Sequence, residues 1–157
     1  MLTHRWTTWT WPAALLLSCS AQAGQLGIAV EQVRSDRGTI MIGLYDNAQA
    51  FDRAVGSVDS KALLIEPGRF AAITVQASAA KGTIVTFSDV RSGRYAVIAF
   101  QDENDNAKLD RNIFGVPTEP YGFSNNVRGL FGAPAFDRAA VAVDGSQSSI
   151  RIILANP

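Results

Sequence analysis

GTIVTFSDVRSGRYAVIAF, Gly82 to Phe100, is the stretch that decides the fold. Its first half is β-branched and aromatic, with Val85 and Phe87 alternating against Thr86 and Ser88, and Arg91-Ser92-Gly93 supplies a turn. From Tyr95 to Phe100 every residue is apolar. Such a run leaves no face for water and predicts a central strand covered on both sides.

Working outward, the same period of two recurs. Leu26, Ile28 and Val30 alternate with smaller or polar residues, Arg34 to Gly38 makes a turn, and Ile40, Ile42 and Leu44 repeat the alternation. These two runs are expected to form an antiparallel pair. Ala48 to Gly56 offers only Phe51 and Val55 as apolar anchors and reads as a loop or a short helical turn, with Phe51 plugging one end of the fold. Ala62–Ile65 and Phe70–Gln76 flank a Glu66-Pro67-Gly68-Arg69 turn, and Ala77–Gly82 is a connector. Near the C-terminus, Ala139–Val143 and Ile150–Leu154 read as strands joined through Asp144-Gly145-Ser146. No window carries a sustained helical stripe. About seven short strands with turns between them predict an all-β chain, a single antiparallel β-sandwich, with one long ordered loop over residues 102–136.

The N-terminus has the grammar of a secretory signal: one arginine at Arg5, an apolar run through Trp11 to Leu17, and Ala21-Gln22-Ala23 before Gly24. Cleavage after Ala23 is expected, leaving a periplasmic or secreted domain of residues 24–157 with no transmembrane segment. A lipoprotein box ending at Cys19 is the less fitting alternative, because Leu17-Ser18 is a poor match just before the cysteine. With the signal go His4, Cys19 and the three tryptophans, Trp6, Trp9 and Trp11. The mature chain then lacks imidazole and thiol, which excludes disulfides, Ser-His-Asp or Cys-His catalysis, and zinc or copper sites of the usual kind. Any metal would have to be held by oxygen. The 14 basic and 14 acidic residues balance, so there is no electrostatic footprint for nucleic acid.

Between the apolar strand ending at Phe100 and the segment after Phe136 lies a Gly/Pro/Asn-rich excursion. Asp102, Asn104, Asn106 and Asp110 place oxygen-bearing side chains at alternate positions before a closing carboxylate, with the Lys108 carbonyl between them, as a loop that wraps Ca2+ does. Ala107 stands where such a loop wants glycine, and Ile113 where it wants a bidentate glutamate, a role Glu119 would take by folding back. Asx-turns want the same residue types without any metal, so both readings stay open. Farther on, Phe114, Tyr121, Phe123, Phe131 and Phe136 form either a satellite core or an aromatic surface for a ligand, with Asn125 and Asn126 as its polar contacts.

Phe87-x-x-Val90-x-x-Gly93-x-Tyr95-x-Val97 resembles the strand-turn-strand signature of transthyretin-like and carboxypeptidase-regulatory-like sandwiches, in which the glycine turns the corner and the tyrosine packs beside it. Together with the 102–110 loop and Gly115-Val116-Pro117-x-Glu119-x-Tyr121-Gly122-Phe123-Ser124-Asn125-Asn126, the chain from Leu26 to Leu154 looks like a member of the bacterial domain of unknown function 2141 family. The resemblance implies the sandwich fold and export, and no settled activity. The expected function is a non-enzymatic exported binding or accessory module for an extracytoplasmic ligand or protein. The alternative is a hydrolase using Asp110 and Glu119 on an extracytoplasmic substrate such as a glycan.

Overall fold

The computed structural model describes residues 23–56, 69–129 and 132–157. The signal-like segment, the 62–68 segment and Phe131 lie outside them. Among the described residues, eight strands form two sheets. β1 (Ala23–Glu31) stands in the middle of a three-stranded sheet, between β4 (Thr83–Arg91) and β8 (Gln147–Ile153). In the second sheet β3 (Arg69–Gln76), β2 (Thr39–Tyr45) and β5 (Gly93–Asp102) lie side by side. The far edge of β5 is shared by β6 (Tyr121–Phe123), which pairs with Ile98–Phe100, and β7 (Val141–Val143), which pairs with Gly93–Tyr95.

Side-chain parity sorts the residues into two cores. Ile40, Ile42 and Leu44 of β2, with Tyr95, Val97 and Ala99 of β5, face inward against Leu26, Ile28, Val30, Val85 and Phe87 of the other sheet. On the opposite face Met41 and Tyr45 join Ala96, Ile98 and Phe100 in a second cluster, covered by helix α1 (Ala48–Gly56), by Phe123 and by Phe136. β5 is buried on both faces, as its uninterrupted apolar run predicts. β4 keeps a wet face, with its odd-numbered residues Val85 and Phe87 inside and Ile84 and Thr86 outside.

Four expectations are corrected. β1 and β2 do not pair with each other: the 32–38 segment carries the chain from one sheet to the other, and Gly38, at φ +69°, sits so close to the Asp102 carbonyl that a Cβ would collide with it. The sandwich is not wholly antiparallel, because β8 runs parallel to β1 from Gln25–Gln147 to Glu31–Ile153. Residues 48–56 form a full nine-residue helix rather than a loop or a single turn. Asn47 caps it, its Oδ1 accepting the Ala50 N–H at 2.8 Å. The segment expected to open a strand at Ala139 is instead a short helix, α2 (Phe136–Ala139), with the strand beginning at Val141.

Phe51 is fully buried under the second cluster, edge-to-face with Tyr45, Phe123 and Phe136 at 5.9, 6.1 and 5.9 Å between ring centroids. It holds helix, sheet and returning excursion together. Phe51→Ala is expected to cost about 3 to 5 kcal/mol in chemical denaturation. A loss under about 1 kcal/mol would show that the cluster closes without it.

Candidate functional site: an acid-rooted arm

The excursion divides into two parts of different character. Residues 120–129 and 132–143 return along the outer face of the second sheet and are bound into it. Residues 103–119 leave the end of β5 and come back as an arm.

Two carboxylates fasten the root of that arm. Asp102, 1% exposed, accepts the Asn106 N–H at 3.1 Å through one oxygen and the Ala107 N–H at 2.6 Å through the other. Glu119, 5% exposed, accepts the Glu103 N–H at 2.8 Å and the Asp110 N–H at 2.9 Å. Each acid therefore satisfies two backbone donors, which is how a buried carboxylate is retained without a partner cation. Glu119 ties the outgoing and returning limbs together. Burial pushes its pKa above the ordinary glutamate range, and the neighbouring Asp110 and Asp102 charges add to the rise against the two backbone bonds.

The other Asx residues are spent inside the loop. Asn104 Oδ1 accepts the Asn106 N–H at 3.2 Å and Asn106 Oδ1 accepts the Lys108 N–H at 2.7 Å. Their side-chain amides donate to the two Asp110 oxygens, at 2.8 and 3.0 Å. Asp105 and Ala107 hold positive φ, at 57° and 60°. Ala107 thus occupies the left-handed position where a cation-wrapping loop would place glycine. Among the described residues, no group of three or more His, Cys, Asp or Glu side chains is arranged to hold a metal ion. A cation at Asp102, Asn104, Asn106, Asp110 or Glu119 would have to displace or share these bonds.

Beyond the Asx loop, the arm is a tight hairpin. Arg111 bridges to Pro117, the Thr118 N–H donates to the Asp110 carbonyl at 2.8 Å, and the Asn112 N–H to the Val116 carbonyl at 2.9 Å. Asn112 Oδ1 accepts two further N–H groups, from Phe114 at 2.9 Å and Val116 at 3.1 Å. The tip carries Ile113, Phe114 and Val116 in solvent, 94%, 82% and 52% exposed.

The aromatic residues separate accordingly. Phe123 and Phe136 are buried against Phe51, Tyr121 is half-buried beside Phe123 at 6.0 Å, and Phe114 alone of these four stands at the arm's tip. Tyr121, Phe123 and Asn126 line a groove of about 370 Å³ with Arg128 and Ile153. Asn125 and Asn126 are committed to the backbone: the Asn125 amide reaches the Arg138 and Ala140 carbonyls, both at 3.1 Å, while Asn126 Oδ1 accepts the Ile153 N–H at 2.7 Å. Both sit at positive φ and dock the excursion onto α2 and β8.

Sequence reasoning missed the brace at the arm's base. Glu103 pairs with Arg34 at 3.2 Å and Arg37 at 3.6 Å, and accepts the Ser35 hydroxyl at 2.9 Å. Arg34 also donates to the Thr118 carbonyl at 3.2 Å. Fully buried Gln101 accepts the Arg34 N–H at 2.9 Å and donates to the Ser35 and Arg37 carbonyls, both at 3.0 Å. Nothing in the spacing of these residues announces the contact, since nearly 70 positions separate Arg34 from Glu103.

A β-sandwich bearing an acid-rooted, apolar-tipped arm is the class of domain these observations define. The chain belongs to the family described as uncharacterized protein conserved in bacteria, domain of unknown function 2141, which matches residues 28–151. No curated protein and no solved structure matches it.

Glu119→Ala leaves two backbone donors unmet and is expected to cost about 2 kcal/mol or more. Glu119→Gln keeps the shape and cannot ionise. Because the folded pKa lies above the unfolded one, the stability owed to Glu119 is complete below the ordinary glutamate pKa and is lost as pH rises through the raised value. The stability of the wild type relative to Glu119→Gln should therefore fall with rising pH across that window; a flat difference would refute the shift. Ala107→Gly, relieving a left-handed alanine, should stabilise by about 1 kcal/mol in the same unfolding assay.

Proposed function

We infer that the chain acts as an exported, non-enzymatic binding module whose working end is the arm of residues 103–119. The observation that supports this most directly is the contrast along the arm, between a root fixed by buried acids and a tip whose apolar side chains are exposed. A sandwich that needed the loop only to close its core would turn those side chains inward. Export is read from the N-terminal Arg5 to Ala23 segment.

The hydrolase alternative would use Asp110 and Glu119 as an acid–base pair. Against it, both Glu119 oxygens are occupied by backbone N–H groups and the residue is 5% exposed, which leaves little of the carboxylate for a substrate. The test is incubation of the mature protein with isolated bacterial envelopes, reading retention of protein and release of reducing ends together. Retention without release is expected. Replacing residues 104–118 by a short glycine linker should lower retention about tenfold or more while cooperative unfolding persists. Reducing ends released by the wild type and not by Glu119→Gln would establish the hydrolase instead.

Calcium is a second reading, supported by Asp102, Asn104, Asn106 and Asp110 at cation-loop spacing and by the left-handed turn at Ala107. The hydrogen bonds favour a self-braced loop, for which millimolar calcium added after a chelator leaves Tm unchanged in far-UV circular dichroism. A weak site, with Kd of about 0.1 mM, would give about 2 kcal/mol and a rise of several degrees. Such a rise, specific to calcium over magnesium and abolished by Asp110→Ala, would make the loop a cation seat.

A further inference from the structure

We propose that the tip of the arm, Ile113, Phe114 and Val116, inserts into the surface of an anionic lipid bilayer. The inference deepens the binding-module reading and rests on it.

Three observations point to lipid rather than to a protein surface. The first is the tip's chemistry: its apolar side chains are 94%, 82% and 52% exposed, and none of the three belongs to either core cluster of the described residues. Three side chains on a narrow turn are too few for a stable protein interface, which needs about 800 Å² from each partner, and are sufficient for shallow insertion at the headgroup boundary.

The second is the backbone. An interfacial segment must satisfy its own polar groups, because the apolar phase offers no donors or acceptors. Here the N–H groups of Asn112, Phe114, Gly115 and Val116 all have acceptors inside the hairpin, at 2.9, 2.9, 2.9 and 3.1 Å. Asn112 supplies three of those four acceptors, two through its side-chain oxygen and one through its carbonyl. A strand-adding protein partner would need these groups free.

The third is charge. Residues 111–118 contain one cation, Arg111, and no acid. The Arg111 guanidinium donates to the Gly115 carbonyl at 2.9 Å, which places its charge at the neck of the tip. The nearest acids face the protein: Asp110 holds the Asn104 and Asn106 amides, and Glu119 is buried. An apolar point with a cationic collar complements an anionic headgroup layer.

The experiment is co-sedimentation of the mature protein with vesicles of phosphatidylcholine alone and of phosphatidylcholine mixed with phosphatidylglycerol. Binding is expected to the mixed vesicles and to weaken with added salt. The double variant Ile113→Ser with Phe114→Ser should bind about tenfold less or worse, with its Tm unchanged because both side chains are exposed. Arg111→Gln should weaken binding to the anionic vesicles only. No binding to either vesicle, or equal binding by the double variant, overturns the proposal. If purified protein is still retained by envelopes through its arm while vesicles fail to bind it, the partner is a protein or glycan, and the binding-module reading survives without lipid.

Discussion

β5 has no face to give to water, and much of the fold follows from that burial. Its odd-numbered residues Tyr95, Val97 and Ala99 close the space between the sheets, and its even-numbered residues Ala96, Ile98 and Phe100 require a second cover. A two-layer sandwich provides only the first. The second is supplied by α1, which drops Phe51 onto the sheet, and by the returning half of the excursion, which adds β6, Phe123 and Phe136 around it. Residues 120–129 and 132–143 are thus a structural layer, and the long connection after β5 exists in large part to build it. The three-stranded sheet needs no such layer, so its strands β1 and β4 alternate between apolar and wet.

That difference between the sheets explains what was legible in the sequence. The longer strands could be read, because period two and uninterrupted apolar runs report burial on one face or both, whereas the three-residue β6 inside the excursion could not. Partners could not. Leu26-Ile28-Val30 and Ile40-Ile42-Leu44 face the same core from opposite sheets, and alternation encodes which face is buried without encoding who lies alongside. The full length of α1, read as a loop or one short turn, was not legible because two of its three buried residues, Ala50 and Ala54, are alanines, too small to draw a helical stripe around Phe51. The Asx spacing of the arm was visible as a pattern. Its meaning was divided, since a cation loop and an Asx-turn network ask for the same side chains, and only the positions of the N–H donors separate them. Exposure at the tip was only half visible: Phe114 reads as satellite core or as ligand surface until the hairpin is seen to project it beside Ile113.

The covering layer also determines where the arm begins. β6 pairs with Ile98–Phe100, and the Gln101 N–H still donates to the Pro120 carbonyl at 2.8 Å, so the chain leaves and regains the sheet at adjacent points. Residues 103–119 have no strand to join and must be organised from within. Backbone donors at their root turn toward the buried Asp102 and Glu119, so the chain meets them with acids rather than with neutral side chains. An ionised carboxylate accepts two N–H bonds at once with charge-assisted strength, which one Asn or Ser oxygen does less well.

This solution has an electrostatic cost that shapes the arm's behaviour. Glu103 is neutralised by Arg34 and Arg37, whereas Asp102 and Glu119 meet backbone dipoles, with the Asp110 charge close by. Desolvation and like-charge repulsion then act on the group that clamps the two limbs, and the rise in the Glu119 pKa is the measure of that stress. Burial and the neighbouring acids thus oppose the ionised form of Glu119, while the two backbone N–H bonds that it accepts oppose the proton. Toward an anionic surface the arm presents Arg111 at its neck, while Asp110 and Glu119 stay bonded at its root. Separation of the two charges along one arm, acids at the root and the cation near the tip, is what allows the same short segment to be stiff at its base and adhesive at its end.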